Sequence, residues 1–124
     1  MATATDIERM KARTKAFAVT VVRFYAALPK STAAQVLGRQ LLRSGTSVGA
    51  QYREACRAKS DADFISKVEG CLQELEETAY WLEIIVGAGI LQPEATAPVM
   101  GETRQLTAIF TTVVRRVKAR RSTQ

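Results

Sequence analysis

Apolar residues recur every three or four positions along most of the chain, the spacing of amphipathic α-helices. In the first segment the steps alternate between three and four, which is the heptad pattern of a helix that packs on other helices. The pattern positions are Ile7, Met10, Thr14, Phe17, Val21, Phe24 and Leu28. Pro29 ends the segment, because proline disfavours a helical conformation in the residue before it. We predict a first helix over residues 5–28.

A second helix is predicted over residues 33–58, with Thr32 and Gln35 as its capping box. Small residues fill its middle, including Gly45 and Gly49. Each glycine costs a helix about 1 kcal/mol relative to alanine, so this composition makes sense if a neighbouring backbone comes close. The alternative is a break in the helix near residues 44–49.

Two further helices are predicted over residues 61–88 and 94–118. Ser60 is a typical N-terminal cap for the first of them, and Pro93 suits the first turn of the second. The inward positions of the last helix are ambiguous, because neighbouring residues compete for two of them: Leu106 or Thr107, and Val113 or Val114. Residues 119–124 are polar and basic, and we expect them to fray.

Four helices of this length with short connections favour an all-α fold, an antiparallel up-down-up-down four-helix bundle. The 124 residues suit a single domain over residues 1–124. No apolar stretch approaches the roughly 20 residues of a membrane-spanning helix, and the start of the chain has no secretory pattern. With two cysteines and no disulfide pattern, we expect a cytoplasmic protein.

The absence of histidine excludes catalytic triads with histidine, histidine metal sites and histidine pH switches. Carboxylates beside the apolar stripes, Glu54, Glu74 and Glu77, could in principle hold a metal or do acid–base chemistry. Di-iron bundles, however, use Glu-x-x-His motifs as metal ligands, and this chain has no histidine. The better interpretation is a structural polar network of Arg43, Glu54, Glu74 and Glu77. We therefore expect no enzyme activity, no metal and no cofactor.

Charge is unevenly distributed along the chain. Residues 60–102 hold nine acids and one base, whereas the flanking segments are strongly basic and the whole chain carries +6. One interpretation is that Glu69, Glu76 and Glu83 neutralise neighbouring helices. The antiparallel topology would also bring residues 5–15, 53–63 and 115–124 to one end, with twelve bases and five acids among them.

We call this end of the predicted bundle the basic pole. Its candidate nucleic-acid-binding residues are Arg9, Arg13, Arg53, Arg57, Lys59, Arg115, Arg116, Lys118, Arg120 and Arg121. A concentrated basic surface is typical of a protein that binds polyanions. Few aromatic residues lie among these bases, so binding would be to the phosphate backbone with little base stacking. The alternative is a solvated surface that only aids solubility.

A second stripe on the third helix contains Glu74 and Trp81, with Tyr80 beside it. It flanks an apolar seam that is already complete. Aromatic residues in such a position are either additional core or an oligomer interface, where aromatics are enriched. The sequence leaves both interpretations open.

Two segments carry a family resemblance. Residues 40–55, QLLRSGTSVGAQYREA, and residues 74–83, ELEETAYWLE, resemble the two signatures of the ribosomal-RNA intervening-sequence protein family. Arg43, Ser47 and Glu54 fall on motif positions of the first signature, and Glu74, Glu77, Tyr80 and Trp81 on those of the second. Gln51 stands where the family usually has asparagine, and Ala55 where many members have glycine.

The resemblance implies an antiparallel four-helix bundle that assembles into a homopentameric ring, with no established enzyme activity. It also implies a bacterial protein distantly similar to the accessory protein of diversity-generating retroelements, which binds a reverse transcriptase and nucleic acid. The expected function is therefore binding of RNA, DNA or a nucleoprotein through the basic pole. The alternative is an interaction or self-assembly scaffold without a nucleic-acid role.

Overall fold

The computed structural model describes residues 3–122, and within that range it contains α-helices and no strand. The helices are α1 (Ala4–Ala26), α2 (Thr32–Ala55), α3 (Asp61–Gly87) and α4 (Pro93–Ser122). The all-α, four-helix prediction is confirmed. Helix α2 runs without a break through its small residues, so the alternative of an interrupted helix is wrong.

Hydroxyl side chains cap the starts of the first three helices. Thr3 accepts a hydrogen bond from the backbone of Asp6, and Ser60 accepts one from Asp63. The cap of α2 is Ser31, which accepts a hydrogen bond from Ala34, so the predicted capping box at Thr32 is wrong. Two hydroxyl residues are adjacent there, and the helix starts one residue earlier than predicted. Gln35 instead donates to the carbonyl oxygen of Pro29.

Helix α4 continues to Ser122, four residues past the predicted end. Residues 119–122 therefore do not form the frayed tail that we predicted, while residues 123–124 lie outside the described range. Alanine and arginine are good helix formers, and Arg120 is held by Asp61 of α3 at 3.0 Å. These two effects extend the helix into the basic segment.

Helix α1 packs on α2 through glycines. An added side-chain carbon on Gly38 would lie 2.8 Å from Tyr25, and one on Gly45 would lie 2.8 Å from Val21. One on Gly49 would lie 3.0 Å from Thr14. The small residues of α2 therefore admit α1 at close range, as the composition predicted.

The remaining helices follow in sequence around the bundle. Helix α3 packs on α2 and on α4, whereas α1 and α4 make few contacts with each other. Buried Ser44 of α2 hydrogen-bonds Thr78 of α3 at 2.8 Å, and the ring of Tyr52 packs on Phe110 of α4 with centroids 5.5 Å apart. The core therefore lies between successive helices, from α1 to α2, α3 and α4, and an open seam remains between α1 and α4.

The ambiguous positions of α4 are resolved by burial. Leu106 and Val114 are buried, while Thr107 and Val113 are half-buried. Leu106 and Val114 therefore lie on the side of α4 that faces the core.

Candidate nucleic-acid interface

The open seam ends in a groove of about 620 Å³ to which all four helices contribute. It is lined by the start of α1, the end of α2, the start of α3 and about the last four turns of α4. The lining residues are Asp6, Ile7, Met10, Tyr52, Cys56, Asp61, Phe64, Ile109, Phe110, Val113, Arg116, Val117 and Arg120. The chain segments assigned to the basic pole therefore meet around this groove.

Three of the ten predicted binding residues are engaged by carboxylates. Arg13 donates two hydrogen bonds to Glu102, at 2.9 and 2.8 Å, and one to Gln105. The bond to Glu102 raises the pKa of Arg13 above its usual value. This pair links α1 to α4 and draws the Arg13 charge toward the middle of the bundle.

The other two engaged residues lie between α4 and α3. Lys118 contacts Glu69 at 3.2 Å, and Arg120 contacts Asp61 at 3.0 Å. Glu69 thus neutralises a neighbouring helix, as one interpretation held. Glu76 and Glu83 form no ion pair within residues 3–122.

Seven of the ten predicted binding residues are exposed and form no ion pair within residues 3–122: Arg9, Arg53, Arg57, Lys59, Arg115, Arg116 and Arg121. A cation that is not already paired can neutralise a phosphate without first losing a carboxylate. These seven side chains, which we call the open cations, are therefore the part of the basic pole best able to bind a polyanion.

Acidic groups also lie at the groove. Asp6 is exposed and accepts a hydrogen bond from the Thr3 backbone N–H, which is the main cause of a lowered Asp6 pKa. Asp61 is neutralised by Arg120. The lining therefore holds two acids and two bases, and the excess positive charge of the basic pole comes from open cations outside the lining.

The predicted polar network is only partly assembled. Arg43 of α2 contacts both Glu74, at 3.4 Å, and Glu77 of α3. The hydrogen bond to Glu77 is the main cause of a raised Arg43 pKa. Glu54 is exposed, lies about three turns further along α2, and forms no hydrogen bond or ion pair with Arg43. The network therefore contains three of its four proposed members.

The α3 stripe divides between surface and interior. Tyr80 is 55% exposed, and its ring packs on Trp81 with centroids 5.3 Å apart. Trp81 is half-buried, and its indole Nε1 is shielded from solvent without a hydrogen-bond partner among the described residues. Glu74 is 8% exposed and engaged by Arg43, so it presents little surface for an interface.

Among the described residues, few side chains have the arrangement or the pKa that metal binding or nucleophilic chemistry would need. No cluster of three metal-ligating side chains occurs in the described part of the chain. Burial raises the pKa of the Cys71 thiol to about 12, so this side chain is a poor nucleophile. None of the four helices, over their described residues, is long and apolar enough to cross a bilayer.

Comparison with known families agrees with the two sequence signatures. A family model for the 23S rRNA-intervening sequence protein matches residues 8–112. The chain belongs to this family. The resemblance seen in residues 40–55 and 74–83 is thereby confirmed for the 23S rRNA-intervening sequence protein family.

A solved structure supports the same assignment. A protein with unknown function from the S23 ribosomal protein family of Bacteroides thetaiotaomicron VPI-5482 matches with a TM-score of 0.78 and 35% sequence identity. The match covers 84% of this chain and 96% of that chain. No curated protein shows significant sequence similarity.

The sequence reasoning missed two features of the site. It did not identify Glu102 as the partner of Arg13, and it did not predict a groove. The second apolar column of α4, Ile109 and Val113, was the available signal for the groove, since one helix needs only one such column to complete a core.

Proposed function

We propose that this member of the 23S rRNA-intervening sequence protein family is a non-enzymatic protein that binds RNA, DNA or a nucleoprotein through its basic pole. The observation that carries the proposal is the meeting of four helix ends at one groove, which the open cation Arg116 lines. The other six open cations are exposed and lie outside the lining, on chain segments assigned to the same end. Each phosphate that they neutralise releases counterions, so binding weakens as salt rises. Because no exposed aromatic lines the groove, recognition is of the backbone and has little sequence preference.

The test is a salt titration of a labelled RNA and a labelled DNA by anisotropy. We expect affinity in the micromolar range or weaker at about 50 mM salt and its loss by about 500 mM. Substituting three open cations, Arg53→Gln, Arg57→Gln and Arg115→Gln, reduces the slope of log affinity against log salt by about 2 to 3. No binding at the lowest salt overturns the proposal.

The matched control removes three exposed arginines from elsewhere, with Arg23→Gln, Arg39→Gln and Arg104→Gln. Both triple variants lower the net charge by the same amount, so a difference between them reports position. We expect the control to retain most of the wild-type slope. Equal losses would assign the binding to net charge and not to the basic pole.

We also propose that the helices form an antiparallel up-down-up-down bundle and that five chains form a ring. Contacts support the first part: Tyr25, Val21 and Thr14 of α1 face Gly38, Gly45 and Gly49 of α2, in descending against ascending order. Family membership motivates the second part. Native mass spectrometry should give a species of five times the 13.6 kDa chain mass. A ring would present five basic poles and raise avidity.

The second candidate function is a self-assembly or interaction scaffold that uses the α3 stripe. The exposed ring of Tyr80 beside the unpartnered Nε1 of Trp81 favours it, because interfaces are enriched in such aromatics. Tyr80→Asp should then shift the species seen in native mass spectrometry to lower mass while RNA binding per chain persists. Unchanged mass would remove the stripe from the interface.

A further inference from the structure

The groove at the end of the α1/α4 seam has the size and lining of a small-ligand site. Its volume of about 620 Å³ lies within the roughly 300–1,000 Å³ of such sites. Tyr52 and Phe110 are buried and form its floor, while Met10, Ile109 and Val113 are half-buried and form its walls. From Ile109 to Arg120, α4 rises about 16 Å, so the groove is elongated.

The charged groups at the groove differ in how far they are engaged. The two carboxylates already have partners, since Asp61 is paired with Arg120 and Asp6 accepts a hydrogen bond from the backbone of Thr3. Arg116 is exposed, lines the groove and forms no ion pair within residues 3–122. The groove therefore combines a long apolar channel with one cation that is available to an anionic group.

We propose that the groove binds a monomeric long-chain carboxylate. Its alkyl chain lies between α1 and α4, and its carboxylate contacts the guanidinium of Arg116. An arginine holds a carboxylate through two parallel hydrogen bonds, which fixes the head group, while burial of the chain supplies most of the affinity.

The lining disfavours nucleotide bases as occupants. Bases stack on open aromatic faces, whereas the aromatic rings of the floor, Tyr52 and Phe110, already pack on each other. Phe64, the third aromatic residue of the lining, is half-buried and would be the one ring left for a base. The proposal goes beyond nucleic-acid binding and does not depend on it, because only Arg116 of the seven open cations lines the groove and the other six lie outside the lining.

Isothermal titration calorimetry of the full chain with dodecanoate tests the proposal. We expect one saturable site per chain and at least about tenfold weaker binding of octanoate, since each buried methylene contributes about fourfold in affinity. Val113→Phe should abolish binding by filling the channel. Absence of dodecanoate binding, or equal affinity for the two chain lengths, overturns the proposal.

A matched pair of arginines separates the groove from the surface. Arg116→Gln should weaken dodecanoate binding about tenfold, whereas Arg115→Gln, exposed and outside the lining, should leave it unchanged. Both substitutions should reduce the salt dependence of RNA binding to a similar degree. Equal effects of the two on dodecanoate would show binding to the general surface charge and overturn the site, whatever the RNA results are.

Discussion

Helix α1 meets its two neighbours in opposite ways. Toward α2 it packs at close range, because Gly45 and Gly49 leave room for Val21 and Thr14. Toward α4 it makes few contacts, and the ion pair between Arg13 and Glu102 links the two helices. Helix α1 is therefore held on the bundle mainly by its tight seam with α2, while its seam with α4 stays open.

The two cysteines differ in the same way, one lying at the open groove and the other in the closed part of the bundle. Cys56 is half-buried and lines the groove, whereas Cys71 is buried behind α2 with a pKa raised to about 12 by burial. We expect iodoacetamide at pH 8 to label Cys56 at least about 100-fold faster, because thiolate is the reactive form. Peptide mass spectrometry measures the two rates. Comparable rates would mean that the closed side of the bundle opens as readily as the groove.

The high Cys71 pKa also has a consequence for stability. Burial raises the pKa of the Cys71 thiol above its unfolded value of 9.0. The resulting contribution to the unfolding free energy is therefore complete below pH 9. That contribution falls as pH rises from 9 toward 12, and Cys71→Ala should flatten the fall in unfolding free energy over this range.

The tight seam itself should be the part most sensitive to an added methyl group. In Gly45→Ala the new carbon meets both γ-carbons of Val21 at 2.8 Å, and Val21 is fully buried and cannot move away. We expect a loss of about 2 kcal/mol in unfolding free energy by urea denaturation. Gly101→Ala is the control, since nothing lies within 4 Å of its added carbon, and it should stabilise by up to about 1 kcal/mol.

Removing the ion pair that links α1 to α4 should lower the unfolding free energy by less than the change at the tight seam does. Arg13→Gln breaks a two-bonded pair whose side chains are about one-third exposed, so solvent reduces the cost to about 1 kcal/mol. Lys118→Gln removes the more exposed pair with Glu69 and should change the unfolding free energy by less than about 0.5 kcal/mol. Equal costs for the two would show that the α1/α4 link has no special role.

The smallest effect is expected where a glycine faces a flexible neighbour. An added carbon on Gly70 of α3 would overlap the amide end of Gln51, which can swing away because it ends a long side chain. Gly70→Ala should therefore stay within about 0.5 kcal/mol of wild type in the same denaturation assay. A loss as large as that of Gly45→Ala would show that close approach alone, and not the rigidity of the partner, sets the cost.

The sequence predicts the helices well because the apolar residues at helical spacing are also the residues that the fold buries. Phe17, Val21, Leu41 and Leu75 occupy heptad positions, and all of them are buried. The cap of α2 was missed because adjacent Ser31 and Thr32 satisfy the same rule, and only the backbone geometry selects between them.

The candidate site is less accessible to sequence reasoning. Spacing placed Arg13 and Arg120 at one end, but which carboxylate each side chain reaches depends on rotamers and on helix rotation. The groove arises because α4 carries two adjacent apolar columns, and the sequence alone does not show that α1 leaves one of them uncovered. Glu54 shares a stripe with Arg43, yet the two lie too far apart along α2 to meet.

Trp81 is the single tryptophan of the chain and lies on α3 against Tyr80, away from the groove. Its shielded indole gives the protein a built-in optical reporter of that helix. Binding of a partner on the α3 face should change its emission wavelength. Binding confined to the groove should leave the emission wavelength unchanged.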